Sequence, residues 1–178
     1  TSEVDLEGSV RIGNTIYWIG SHGNNSSAQD APNRERLFAT TVAGTGVSTT
    51  LTFAGYYQFL EDDLIAWDNA NGHGLGAGFL ALGASAAAGV SVSVANGFNI
   101  EGLTASPDGN SLYVAFRTPL EPTSDRTKAL IIPVTNFGTI LNNTGGTTGA
   151  ATFGAPIQLD LGGRGIRSIE RNSTGQYV

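Results

Sequence analysis

Two stretches of this chain carry the same pattern, and that repetition limits the folds open to it. Residues 5–20 read DLEGSVRIGNTIYWIG, and residues 99–114 read NIEGLTASPDGNSLYV. Each places a Glu-Gly pair (Glu7-Gly8, Glu101-Gly102) at the head of a short strand. Each then turns on Gly and Asn and enters a strand of aromatic and aliphatic residues. A weaker third copy, GIRSIERNSTGQYV, begins at residue 165. A strand–turn–strand unit recurring at long intervals is the signature of a radial or stacked β architecture.

The spacing predicts blades. Glu7 and Glu101 lie 94 positions apart, twice 47, and four-stranded propeller blades run about 40–50 residues. Glu101 and Arg167 are 66 positions apart, with the excess in the Gly/Thr/Asn-rich stretch NFGTILNNTGGTTGAATFG. The expected fold is all-β: a β-propeller of four-stranded blades forming one domain over residues 1–178. Its blade-like units fall at about 5–54, 55–97 and 98–162, with a truncated unit at 163–178. In the second unit the strands are expected at Tyr56–Leu60, Asp63–Trp67 and Val90–Val94, with a short Ala-rich helix near Leu75–Ala88. An antiparallel sandwich with similar hairpins is the alternative architecture.

About three blades plus one hairpin fall short of the roughly four to eight that close a ring. The remainder of the same polypeptide, another chain, or self-association into a homo-oligomer is therefore expected to complete it. An open arc exposes sheet faces, and exposed faces associate.

Composition narrows the function classes. Charged residues make up 13% of the chain against a usual share of about 25%. The net charge is −6 and no basic run occurs, which speaks against nucleic-acid binding. The chain has no Cys, so neither disulfides nor thiolate chemistry is available. It has no Met and begins with Thr, so a processed product or fragment is expected. The uncharged segment Leu75–Val94 is long enough to span a bilayer. Its Gly, Ala and Ser side chains supply little transfer energy, so no membrane span is expected.

Several motifs together carry a family resemblance: IYWIGSHG at 16–23, RERLFAT at 34–40, NIEGL at 99–103, SPDG at 106–109 and GGRGIRSIE at 162–170. Together they resemble an uncharacterised bacterial, mostly secreted domain-of-unknown-function family, itself similar to the phytase-associated esterase-like β-propellers. The resemblance spans nearly the whole chain. It implies a secreted or extracellular location, with the periplasm or cell surface as variants, and a chain that continues past Val178. It supplies no catalytic residues. A more distant likeness is to gluconolactonase-type and paraoxonase-like propellers, where a Glu opening an innermost strand ligates a divalent metal. Glu7-Gly8 and Glu101-Gly102 match that local pattern.

In a propeller the innermost strands converge on one axis, so equivalent strand starts face each other. Asp5, Glu7, Asn99 and Glu101 would then gather as an oxygen-rich site suited to Ca²⁺. Arg167 holds the equivalent position in the third copy and Arg164 is close in sequence, so a binding network of Glu7, Glu101, Arg164 and Arg167 needs no metal. Buried carboxylates must be paired or metal-bound, and Arg is at hand. Ser21 and His22 are neighbours on a strand end and point to opposite faces, so they cannot form a nucleophile–base pair with each other. His22 remains the one catalytic candidate, as a base facing the channel. Glu61-Asp62-Asp63 reads as a solvated acidic turn.

Three functions compete. The first is a secreted, non-catalytic propeller module that binds or scaffolds through channel-mouth loops; the scarcity of His and the absence of Cys favour it. The second is a metal-dependent phosphoesterase or lactonase-like hydrolase using the channel carboxylates. The third is a structural subunit completed by self-assembly or by a partner chain.

Overall fold

The repeated pattern folds as two copies of one motif. In the computed structural model, which describes residues 3–178, β1 (Leu6–Ile12) and β2 (Thr15–Gly20) are joined by the two-residue turn Gly13-Asn14. Gly13 adopts φ +60°, a region open to glycine at no steric cost. β3 (Leu37–Ala43) and β4 (Thr50–Tyr57) follow, giving a four-stranded antiparallel sheet in sequential order. β5 (Asn99–Ala105), β6 (Leu112–Thr118), β7 (Lys128–Val134) and β8 (Ile157–Asp160) form a second sheet of the same kind. The chain is thus predominantly β, as expected, with two open four-stranded sheets.

Strand alternation gives each sheet two faces. In the first sheet Val10, Tyr17, Ile19, Leu37 and Tyr57 point one way and join the main core. They meet Leu103, Val114, Ile132 and Val134 from the second sheet. The other face of the second sheet carries Gly102, Tyr113, Ala115 and Ile131. It is covered by the C-terminal segment, whose Ile166 and Ile169 complete a smaller cluster with Ala115, Ala129 and Ile131. Tyr177 stacks obliquely on Tyr113 at 5.9 Å and donates its hydroxyl to Ala105 O at 2.7 Å.

The segment between the sheets departs from the expected second blade. Residues 58–98 contain no strand; Leu60–Asn69 is a helix (α1) and Leu82–Ala86 a second, short one (α2). Leu60 and Leu64, one turn apart, are fully buried, a 3.6-residue period rather than a strand's period of two. Glu61, Asp62 and Asp63 occupy the first turn of α1, where carboxylates complement the exposed amides. The expected strands at 56–60, 63–67 and 90–94 are corrected accordingly, as is the reading of 61–63 as a solvated turn. The 94-residue spacing is therefore one sheet plus a helical connection, not two blades. The Ala-rich helix is shorter than expected because its flanks are rich in Gly.

Two aspartates lock this connection. Asp68 is fully buried and accepts Leu80 N, Leu82 N and His73 Nε2 at 2.9–3.0 Å. Asp63 accepts the Tyr57 hydroxyl together with Gly149 N (2.5 Å) and Ala151 N (2.9 Å). A further short helix, α3 (Phe137–Ile140), lies between β7 and β8, and its Phe137 meets Tyr17 edge-on at 5.0 Å. No helix among the described residues is long and apolar enough to cross a membrane.

The C-terminal segment is expected as a strand at Ile166–Arg171. It forms a looser hairpin, with reciprocal backbone bonds between Glu170 and Val178 and an isolated bridge between Arg171 and Tyr177.

Candidate functional site

The first strands of the two sheets lie against one another, and glycine makes this contact close. A Cβ on Gly8 would stand 2.7 Å from Leu103 N and 2.9 Å from Leu103 Cβ. A Cβ on Gly102 would stand 2.9 Å from Ile169 Cγ2. The residue following each Glu-Gly pair's counterpart in the next copy thus packs onto the glycine of the copy before it.

Three clefts run along these strands. One of about 540 Å³ is lined by Ser9–Arg11, Leu103–Ala105 and Ile169–Ser173; the next, of about 300 Å³, by Leu6–Ser9, Gly102, Leu103 and Ser168–Glu170. The third, about 380 Å³, is lined by Asp5, Glu7, Arg34, Asn99, Glu101 and Arg117, with serines from the loops at 26 and 91–93. Residue numbers fall in step along all three segments, so the strands run the same way and their starts gather at one end.

That end is a charge network centred on Glu101, which is 6% exposed. Glu101 Oε1 accepts Asn99 Nδ2 at 3.0 Å and Arg117 Nη1 at 3.1 Å, and Oε2 meets Arg167 Nε at 2.8 Å. Because a carboxylate only accepts, the Asn99 amide must turn its NH₂ toward Glu101. Asn99 Oδ1 is left buried with no partner. Asp5 Oδ2 accepts Ser21 Oγ at 2.7 Å and Arg34 Nη1 at 3.1 Å, and Arg34 Nη2 reaches Glu3 Oε2 at 2.8 Å. Glu7 makes no hydrogen bond or ion pair with any described residue. Burial raises its pKa above 4.5, reinforced by the charges of Asp5 and Glu101 and opposed by Arg167 and Arg34.

Glu7, Glu101, Asp5, Asn99 and Arg167 are thus brought together, along with Arg34 and Arg117, which sequence reasoning missed. Arg34 sits in the polar loop after β2 and Arg117 at the end of β6; neither falls in the repeat's opening motif. Arg164 is not part of the cluster. Its guanidinium folds back on its own turn, 3.5 Å from Leu161 O and Gly162 O.

The donor set does not fit Ca²⁺, which takes about 6–8 oxygens. Asp5 and Glu101 are committed to amide, hydroxyl and guanidinium donors, and Asn99 Oδ1 is buried. No group of three or more His, Cys, Asp or Glu among the described residues is arranged to hold a metal ion. The four residues of the expected metal site, Asp5, Glu7, Asn99 and Glu101, are gathered at this cleft within an ion-pair network in which Glu7 has no partner among the described residues.

His22 does not line the cleft. It is 2% exposed, its Nδ1–H donates to Gly20 O at 2.9 Å, and Nε2 is buried without a partner. Burial, with Arg36 nearby, pulls its pKa from 6.5 to about 4 against the opposing bond to Gly20. The imidazole, expected as a channel-facing base, is thus enclosed and does not border the cleft. No protein-family model, curated protein or solved structure matches the chain.

Proposed function

We infer that the chain is an arc of a β-propeller that serves as a binding module, holding a small polar ligand in the cleft at the converging strand starts. The arc reading is supported by a repeated neighbour relation: Leu103 on Gly8, then Ile169 on Gly102. One rotation applied twice produces such a series, and a sandwich of two unrelated hairpins does not. The family resemblance supports the same architecture and a secreted location.

The observation that carries the binding reading is the convergence of unlike hydrogen-bonding groups on one open cleft, from the strand starts of the first two copies and from Arg34 and Arg117 beside them. Arg34 and Arg117 offer donors held in place by carboxylates, and Glu7 offers a free acceptor. Pre-fixed donors and acceptors orient a ligand at little cost in side-chain entropy. Binding is favoured because the polar groups of the cleft that are held in place, Arg34 and Arg117, are hydrogen-bond donors fixed by carboxylates, which suits recognition.

The test is a thermal-shift and NMR screen of monosaccharides, amino acids, inorganic phosphate and CaCl₂ against the intact chain and the Glu7→Gln and Arg117→Ala variants. At least one organic or anionic class should raise the melting temperature, with a stabilisation of about 2.7 kcal/mol at one hundred times Kd. Either variant should lose that shift. A chain that responds to none of these ligands, or responds to CaCl₂ alone, would overturn the reading.

A further inference from the structure

We propose that the ligand of the cleft is a zwitterion of the amino-acid class, with its ammonium on Glu7 and its carboxylate on Arg117. This deepens the binding reading of the cleft and rests on it.

Formal charge is divided unevenly along the cleft. At the β1 end Arg34 is shared between Asp5 at 3.1 Å and Glu3 at 2.8 Å, and Glu7 stands beside them without a partner among the described residues. Three carboxylates against one guanidinium leave two negative charges uncompensated. At the β5–β6 end the ratio reverses. Glu101 alone is shared between Arg117 at 3.1 Å and Arg167 at 2.8 Å, which leaves one positive charge over. A simple anion is repelled at the first end and a simple cation at the second. A molecule carrying both charges is attracted at both.

Each end also presents one group with hydrogen-bonding capacity to spare. Arg117 is the more open of the two fixed guanidinia in the lining, its side chain 34% exposed against 15% for Arg34. Its hydrogen bond to Glu101 uses Nη1, so Nε and Nη2 can fork onto a carboxylate. Glu7 is the matching acceptor. Burial and the charges of Asp5 and Glu101 raise its pKa, so its ionised form gains from an ammonium placed beside it. The rest of the lining is short and uncharged: Ser26, Ser91 and Ser93 offer hydroxyls and Val92 a small apolar patch. At about 380 Å³ the cleft is near the lower end of the roughly 300–1,000 Å³ common for ligand sites, which suits a molecule of amino-acid size. Glu7 lies on β1 and Arg117 on β6, with β5 between them, so the ligand spans the start of β5.

Calorimetric titration of the intact chain with the common L-α-amino acids, β-alanine and 4-aminobutyrate tests this, the last two reading the span between the charges. At least one should bind with a Kd below about 10 mM. Its methyl ester, which lacks the carboxylate charge, and its N-acetyl derivative, which lacks the ammonium, should each bind at least about tenfold more weakly. Substitutions then assign the two ends. In Glu7→Gln the N-acetyl penalty should vanish and the ester penalty persist; in Arg117→Gln the reverse should hold. Arg117→Lys, which keeps the charge, should keep the ester penalty. Damage to the fold alone would weaken all three ligands alike and move neither ratio. The proposal is overturned if no amino acid binds, if the blocked derivatives bind as well as the free one, or if the variants leave both penalties in place. Binding of a monosaccharide or inorganic phosphate without any amino acid would overturn the zwitterion and leave the cleft reading standing. Silence from every ligand would overturn both.

Discussion

Gly8→Ala probes the contact on which the two sheets meet. The added Cβ would stand 2.7 Å from Leu103 N, 2.9 Å from Leu103 Cβ and 3.1 Å from the Gly102 carbonyl carbon. Carbon contacts are optimal at about 3.5–4.0 Å, so β1 and β5 must separate by several tenths of an ångström. Backbone atoms cannot rotate aside, and the gap propagates along the strands. Overpacking of this kind costs about 1–3 kcal/mol. Alanine returns about 0.4–1 kcal/mol by restricting the unfolded chain. The net loss is about 1–2 kcal/mol, or roughly 2–8 °C in melting temperature for a chain of this length. Gly102→Ala is the matched control: its Cβ would press on Ile169 Cγ2, a rotatable methyl, and Ala115 Cβ at 3.1 Å. It should cost no more than about 1 kcal/mol. Thermal melts of both variants decide the matter. If Gly8→Ala is as stable as the parent, or Gly102→Ala is the more damaging, the close-approach reasoning is wrong.

Two other perturbations have defined outcomes. Glu121 is fully buried and neither carboxylate oxygen has a partner; burial lifts its pKa to about 8, with Arg126 opposing and Asp68 adding. The unfolded chain releases this proton near 4.5 and the folded chain keeps it until about 8, so stability present below 4.5 is lost as pH rises toward 8. Glu121→Gln should therefore gain on the parent by up to about 5 kcal/mol between pH 4.5 and 8, and urea titrations showing no pH-dependent difference would refute it. Asp68→Ala should cost at least about 3 kcal/mol by leaving two buried amides and His73 Nε2 unpartnered, and hydrogen exchange should speed up at Leu80 and Leu82; slow exchange there would contradict the assignment.

Short-range signals were the legible part. The Glu-Gly openings, the Gly13-Asn14 turn and the Ser106–Gly109 turn marked both sheets closely, because hairpin chemistry is local. Asp108 accepts Ser106 Oγ and Asn110 N, and Gly109 adopts φ +73°, as that turn requires. The helical connection was misread for a physical reason. Tyr56–Trp67 sets two short apolar groups either side of Glu61–Asp63, so its period is ambiguous, and the acidic first turn of α1 is the signal that settles it. In the cleft, gathering Glu7 with Glu101 followed from the repeat. The roles of Arg34 and Arg117 did not, because each lies outside the repeated motif: Arg34 reaches Asp5 from the loop between β2 and β3, and Arg117 reaches Glu101 across the β5–β6 pair. His22 looked accessible because a strand end usually is; its burial at 2% exposure is a product of tertiary packing. Nothing local marks Glu121, whose isolation is a property of what packs around it.

The carboxylate of Asp63 belongs to α1, yet the amides it holds, Gly149 and Ala151, lie 86 and 88 positions further on. A protease cut anywhere between them would strand the acceptor on one fragment and both donors on the other. The halves should not survive apart, and mixed together they should reassociate into a nicked, native-like whole. The segment that recurs along the chain is thus smaller than the segment that melts.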